Sequence, residues 1–468
     1  MSDYKFIRDS AIRIPICKDM EWFKNIVRDL TRKNKAYNSQ SKDEFEIKKF
    51  YDIDEVNKEL LIPRFYRINN CSYELEDRIP DGQLIDIKSK VVPRNERQNE
   101  SIEWFKNHDR GVLCLGPGEG KTVIAISTIC SIGRKAIIFT HKDSLVDQWI
   151  DRFTQFSSIT QNQIIKLTTS KCNEILTNYP IVISTVQTFC SMLKRISNMR
   201  ELMIQANFGI AIWDECHTSV SAEQFSRTSL NVPCKRVFGL SATPSRHDGN
   251  TDIINLHLGT VFTPQLGSTD TMQPRVVVLK FKFGVMSRHY NYIMHKTKYD
   301  WDNGVKKPYF DMSRYLSQLK KSNKYVDVLK KVVNKIANSN RHLLLLTDRI
   351  KLLDIASEVC KDKSEVGFFI PRSGKNRDEH LTRRLVFSTY GSSRDGTDKK
   401  EIDCLVLATP VSNIEQATGR AVRSSPGKDQ PVIIDLVDME DDSLMGRYHY
   451  RLGFYNRKNW NVEEKEID

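Results

Sequence analysis

Seven residues, Gly116-Pro117-Gly118-Glu119-Gly120-Lys121-Thr122, link the apolar run Gly111-Val112-Leu113-Cys114-Leu115 to the apolar segment Val123–Cys130. A strand that enters a helix through a glycine-rich turn aims backbone N–H groups at one point, and the helix N-terminus adds the positive end of its dipole. That arrangement binds phosphate. Lys121 is then expected to meet the β and γ phosphates of a nucleotide, and Thr122 to hold Mg²⁺. The plain alternative is an ordinary Gly-rich strand-to-helix turn, and the Gly-Lys-Thr ending weighs against it.

A second constellation lies downstream. The apolar run Phe208–Trp213 ends in Asp214-Glu215-Cys216-His217. A buried strand that delivers two carboxylates at its tip is the usual partner of a phosphate loop. Asp214 is expected to hold Mg²⁺, directly or through water, and Glu215 to take a proton from an attacking water. Alone, these residues also read as a charged loop followed by a core histidine. Their place in the same α/β unit as Lys121 favours the catalytic reading. A third set, Gln416, Gly419, Arg420 and Arg423, has the spacing of successive helical turns. A solvated basic face is the alternative there.

These residues need strands and helices to position them. From Val91 onward apolar strands alternate with helical segments, in one series to about Thr243 and in a second from about Arg341 to Asp438. Strands that are apolar throughout and alternate with helices make a parallel sheet covered on both faces. The expected fold class is therefore α/β, with two such domains in tandem and a small N-terminal α+β region. The boundaries read as 1–90 for an accessory domain, with DNA contact, protein docking and a purely structural role as its alternatives, 91–267 for the first α/β domain, and 268–468 for a linker and the second. The join falls near Leu266–Gln273, a stretch rich in Gly, Ser, Thr and Asp. Within the N-terminal region, Leu61–Tyr66 and Ser72–Arg78 read as short strands and Asp19–Lys33 as an amphipathic helix. No chemical motif stands out there.

The bulk properties agree with this plan. The 468 residues carry 39% apolar side chains, enough for two or three cored domains. The net charge of +13 suits a polyanionic partner such as nucleic acid. Ten cysteines show no CxxC pair, so neither a zinc site nor a disulfide framework is suggested. No apolar run reaches the roughly 20 residues of a membrane span. The N-terminus has no signal-like apolar core. A cytoplasmic protein, monomeric in solution, is expected.

The chain resembles superfamily 2 helicases of the DExH type, whose further motifs occur in order. Gln98 resembles the adenine-recognising glutamine. Phe139-Thr140-His141 with Leu145, Gln148 and Trp149 resembles motif Ia, and Ser184–Thr188 motif Ib. Ser241-Ala242-Thr243-Pro244 matches motif III, and Leu346–Arg349 resembles motif IV. Ser388-Thr389-Tyr390 through Asp395-Gly396-Thr397-Asp398 resembles motif V, and Gln416–Arg423 matches motif VI. The likeness covers roughly Val91 to Asp438. Its texture is closest to phage branch-migration helicases of the UvsW type, and more distantly to XPB. Two departures stand out: Lys399 and Lys400 after motif V, and Glu119 where a small residue is commoner.

The resemblance implies two RecA-like domains and the use of ATP with Mg²⁺. It implies nucleotide contacts from Gln98, Gly116, Pro117, Gly118, Glu119, Gly120, Lys121, Thr122, Gly396 and Asp398. Gln416, Arg420 and Arg423 would complete the catalytic set with Lys121, Asp214 and Glu215, and Arg423 is the expected arginine finger. Single-stranded or branched DNA would cross the face away from ATP, near Thr140, Thr185, Thr347 and Thr389. The segment Ser287–Phe310 is expected to be an amphipathic linker helix. Base stacking by Tyr299, Trp301 or Tyr309 is the alternative. Arg447–Val462 reads as a final helix leading to a short strand. DNA helicase or translocase activity on branched DNA is the leading expectation. An RNA helicase, a non-enzymatic scaffold and the motor of a restriction or transcription-release machine are the alternatives.

Overall fold

The computed structural model describes residues 4–35, 45–116, 118–216, 222–242, 250–265, 272–282, 295–300, 305–371, 373, 377–394, 399, 401–425 and 427–467. The chain divides into two compact units, Met1–Thr269 and Asp270–Asp468.

The first unit is built on a seven-stranded parallel sheet. Its order is Ile164–Lys166, Ile181–Thr185, Ala136–Thr140, Ile210–Asp214, Arg236–Ser241, Arg110–Cys114 and Val261–Phe262. Two of these strands, Ala136–Thr140 and Ile181–Thr185, are buried at every residue. Strand periodicity sorts their side chains between two cores. Ile137 and Phe139 pack with Phe189 and Trp213 on one side. Ala136 and Ile138 pack with Ile124, Ile129 and Trp149 on the other. The phosphate-loop helix, Lys121–Ile132, and the next helix, Asp143–Phe156, therefore share a face of the sheet.

The N-terminal residues form a mixed five-stranded sheet, ordered Asp52–Asp54, Glu59–Pro63, Ala11–Pro15, Tyr4–Arg8 and Tyr73–Asp77. The helix expected over Asp19–Lys33 runs only from Glu21 to Asp29. Buried Leu30 closes it and accepts a hydrogen bond from the Phe50 N–H, and Thr31–Lys35 continues as a strand paired with Phe45–Lys49. This small sheet packs firmly against the first parallel sheet's surroundings. Ile253 joins its core of Phe6, Trp22, Phe23 and Phe50. Arg200 holds both carboxylate oxygens of Asp9, at 2.6 and 2.8 Å. Ser10 donates to the Leu230 carbonyl.

The second unit repeats the plan. Its seven parallel strands are ordered Val366–Phe369, Leu385–Thr389, Leu343–Thr347, Cys404–Leu407, Val432–Asp438, Arg275–Phe281 and Asn461–Glu466. Leu343 and Leu345 face one core, and Leu344 and Leu346 the other. The final helix, Asp442–Arg457, is tied to the sheet by Arg451, which pairs with buried Asp435 at 2.8 and 2.9 Å. Both parallel sheets are covered by helices, which is the tandem RecA-like architecture.

One expectation fails. The described parts of Ser287–Phe310 are not helical: His295–Asp300 and Val305–Phe310 pair as an antiparallel hairpin. Lys296 and Lys298 recur two residues apart and Pro308 interrupts the second segment, which suits short strands and opposes a helix. Trp301 lies outside the described residues.

Candidate active site

The phosphate loop leaves the strand Arg110–Cys114 at the C-terminal edge of the first parallel sheet, and the Leu115 N–H donates to the Ser241 carbonyl. Two of its glycines adopt left-handed backbone, Gly118 at φ +83° and Gly120 at φ +94°. At Gly120 a side chain is excluded twice over. The conformation disfavours any Cβ, and one placed there would lie 2.5 Å from the Gln98 Nε2. The helix starts at Lys121, with the Gly120 carbonyl accepting from the Ile124 N–H. Thr122 is half-buried on its first turn. The Lys121 ammonium donates to the Leu115 carbonyl at 3.0 Å and lies 3.8 Å from Glu215 Oε1.

The carboxylates arrive at the same sheet edge, with Asp214 on the face of the sheet that carries the phosphate-loop helix. Asp214 ends its strand, and Glu215 takes a left-handed backbone of φ +49°, an uncommon conformation for a side-chain-bearing residue. The turn swings Glu215 out of line with the strand and toward Lys121. The indole N–H of Trp149 donates to Asp214 Oδ2 at 2.9 Å. Enclosure pushes the Asp214 carboxyl up to about 6, and the charge of Glu215 adds to this, against the pull of Trp149 and Lys121. A lysine, a hydroxyl and two carboxylates thus surround the mouth of an anion-binding turn. That donor set fits a nucleotide phosphate chain with one hard divalent cation, because hydroxyl and carboxylate oxygens are the ligands Mg²⁺ takes.

Gln98 sits on the helix Glu96–Asn107, which is capped by Asn95. Its side chain is buried. Its Nε2 donates to the Glu119 carbonyl at 2.8 Å, and its Oε1 accepts from the Arg94 N–H. The amide therefore braces the phosphate loop. Two contacts were not read from the sequence: Trp149 as the donor to Asp214, and Arg97, whose Nε lies 3.4 Å from Glu119 Oε1. Neither has a local signal, because each depends on which helix packs over the loop.

In the second unit the helix of motif VI covers Glu415–Ala421. Arg420 is buried and donates to the Ser393 hydroxyl at 2.6 Å. Arg423 does not continue the helix, contrary to the even helical spacing of the sequence. Val422 caps the helix, and its carbonyl accepts from the Met272 N–H at 2.7 Å, which draws the chain into extended backbone before Ser424-Ser425-Pro426-Gly427. Pro117, His217, Thr243, Pro244, Gly396, Asp398 and Lys400 lie outside the described residues.

The four threonines occupy matching places. Thr140 and Thr185 are register partners on adjacent strands of the first sheet, as are Thr347 and Thr389 in the second. Each hydroxyl is used locally. Thr185 caps the helix Val186–Arg195 by accepting from the Thr188 N–H, and Thr389 likewise accepts from the Ser392 N–H. Thr140 donates to the Lys142 carbonyl and Thr347 to the Arg349 carbonyl. The two units thus repeat one set of strand-end caps at equivalent strands.

The family profile described as the type III restriction enzyme, res subunit, matches residues 84–246, which span the phosphate loop and the Asp214-Glu215 pair. The L396 protein of Acanthamoeba polyphaga mimivirus, whose name puts forward ATP-dependent RNA helicase as a candidate activity, is 25% identical over 431 residues, covering 90% of this chain and 76% of its own length. The XPB helicase/translocase subunit of general transcription and DNA repair factor IIH from Schizosaccharomyces pombe is 26% identical over 188 residues, 39% of this chain and 23% of XPB. These likenesses support a helicase of superfamily 2. Among solved structures, Saccharomyces cerevisiae Dbp5 bound to RNA and ADP BeF3 aligns with 80% of the helicase and 89% of the Dbp5 chain at 12% identity and a TM-score of 0.52, a likeness of fold. T4 UvsW aligns over 99% of both chains at 16% identity, with a TM-score of only 0.39. An ATP-dependent helicase is the activity that the family profile and the two relatives support. No helix among the chain's described residues is long and apolar enough to cross a membrane.

Proposed function

We propose that this helicase uses ATP hydrolysis to translocate on or unwind DNA, with single-stranded or branched DNA as its substrate. The observation that supports the chemistry best is the approach of Lys121 to Glu215 beside the phosphate loop, with Asp214 held by Trp149. Lys121 neutralises the terminal phosphates, and Thr122 with Asp214 holds Mg²⁺. The bound ion supplies charge neutralisation on the phosphate oxygens. Glu215 accepts the proton of the attacking water. Capped helix starts after Thr185 and Thr389 offer N–H groups to a nucleic-acid backbone, with the hydroxyls fixing those turns.

DNA is favoured by the likeness to a DNA repair helicase subunit, and a nucleic acid of either kind by a feature of the N-terminal sheet. There Lys18, Lys24, Arg28 and Lys33 rim a hollow of about 640 Å³, and no carboxylate lines it among the described residues. Such a surface attracts a polyanion. RNA is the second reading, favoured by the name of the L396 relative. ATPase rates with single-stranded DNA, forked DNA, four-way junctions and RNA separate the two. Strong stimulation by DNA is expected, and stimulation by RNA alone would overturn the DNA reading. DNA affinity should fall log-linearly with salt, with a slope of roughly −0.9 per neutralised duplex phosphate or −0.7 for single strands.

The same assays test the N-terminal region. Truncation at Lys90 would strip away the partners of Ile253 and Arg200, so exposed charges make the better probe. Lys24→Glu with Arg28→Glu is expected to weaken binding to forks and junctions several-fold more than it lowers single-strand-stimulated ATPase. Equal binding of junctions by this variant and the wild type would place branch recognition elsewhere.

A further inference from the structure

We propose that the Glu119 carboxylate is an internal anion that occupies the phosphate loop in the absence of nucleotide, so that ATP binds by displacing it. This inference rests on the reading of Gly116–Thr122 as the nucleotide site. Glu119 Oε2 accepts a hydrogen bond from the Gly116 N–H at 2.5 Å. Its Oε1 lies 3.4 Å from the Arg97 guanidinium, and the side chain is only 11% exposed. The residue is thus folded back into its own loop and held from three sides, because its carbonyl also accepts from Gln98. Gly116 makes room for this: a Cβ there would stand 3.1 Å from the carboxylate oxygen.

The Gly116 N–H is the first amide of the loop. In a glycine-rich phosphate loop such amides are the groups that meet phosphate oxygens. One N–H cannot serve a carboxylate and a phosphate together, and two anions in one small turn repel. Meanwhile Lys121 donates to the carbonyls of Leu115 and, at 3.5 Å, Gly116. The Gly116 amide and the Lys121 ammonium are therefore satisfied from within the loop. Nucleotide must exchange Glu119 and these carbonyls for its own oxygens, so Glu119 sets nucleotide affinity. A small residue at this position would leave the Gly116 amide and Arg97 open to phosphate.

Removing the carboxylate should strengthen binding. The test uses the full chain and fluorescent ADP and ATP analogues, comparing wild type, Glu119→Ser, Glu119→Gln and Lys121→Ala. Glu119→Ser is expected to tighten Kd about tenfold, a difference of about 1.4 kcal/mol, and to lower the KM for ATP more than it changes kcat. Glu119→Gln keeps a hydrogen-bond acceptor but loses the charge, so its affinity should fall between the two. A Kd for both Glu119 variants equal to or weaker than wild type overturns the proposal and makes Glu119 a brace of the loop. If Glu119→Ser does not fold, Glu119→Gln alone decides, by tightening Kd or failing to. Wild-type protein that binds no nucleotide, or that binds equally well after Lys121→Ala, overturns instead the reading of the site itself.

Discussion

Lys121→Ala is expected to abolish ATP hydrolysis, and Glu215→Gln to abolish turnover while leaving nucleotide affinity within a few-fold of wild type. The two differ because the two side chains do different work. Lys121 is the cation of the phosphate loop, already 3.8 Å from the carboxylate that would act beside it. Its loss removes charge needed both in the bound state and in the transition state. Glu215→Gln keeps the size of the side chain and deletes its basicity. General-base catalysis contributes about 10²- to 10⁴-fold, so that loss falls on kcat. The left-handed backbone of Glu215 is set by its neighbours: the strand ends at Asp214, and the Cys216 N–H is fixed to the Leu240 carbonyl. The isosteric variant should keep that turn. Phosphate release under single-turnover conditions, alongside nucleotide binding, checks both effects. Near-normal hydrolysis by either variant would mean that the chemistry lies elsewhere.

The ease with which this site was read has a physical basis. A phosphate loop has to be local: the turn, the lysine and the hydroxyl come from consecutive residues, so Gly116–Thr122 shows in any window that contains it. Asp214-Glu215 shows because a buried strand tolerates charge only at its tip. Strands such as Ala136–Thr140 and Leu343–Thr347 are apolar throughout, so the α/β plan was legible as well. Short edge strands were not. Ile164–Lys166 and Val261–Phe262 are too brief for periodicity to register, whereas the polar strand Asn461–Glu466 was expected only from the resemblance. Contacts between distant segments were equally hidden. Trp149 reads as an apolar helix residue, and its indole N–H finds Asp214 only because its helix packs on the face of the sheet that Asp214 shares. Arg97 reads as surface charge beside Gln98, until the loop folds back and brings Glu119 to it. The end of the motif VI helix was lost for a related reason: a backbone bond from Met272, 150 residues earlier in the chain, stops it at Val422.

That early stop shapes the remaining prediction. Arg423→Ala is expected to lower kcat by about 10³-fold or more, the range of an arginine finger, with modest change in nucleotide affinity. Arg420→Ala should also impair turnover, but with a different signature. Arg420 is buried and donates to Ser393 within its own unit, so its loss removes a charge-assisted hydrogen bond worth about 1.5–3 kcal/mol. A lowered melting temperature should accompany its kinetic defect. Arg423 lies beyond the helix, in extended backbone, with its carbonyl accepting from Lys428. Its guanidinium is carried by a strand-like segment and not by the helix that holds Arg420. Lys at position 423 should rescue little, because an ammonium cannot reproduce the planar fork that meets phosphate oxygens in pairs. A kinetic loss confined to kcat, with melting and nucleotide affinity preserved, would assign Arg423 to the transition state. Normal turnover by Arg423→Ala, or a guanidinium directed to solvent in a structure holding an ATP analogue and DNA, would sink the reading of Arg423 as an arginine finger.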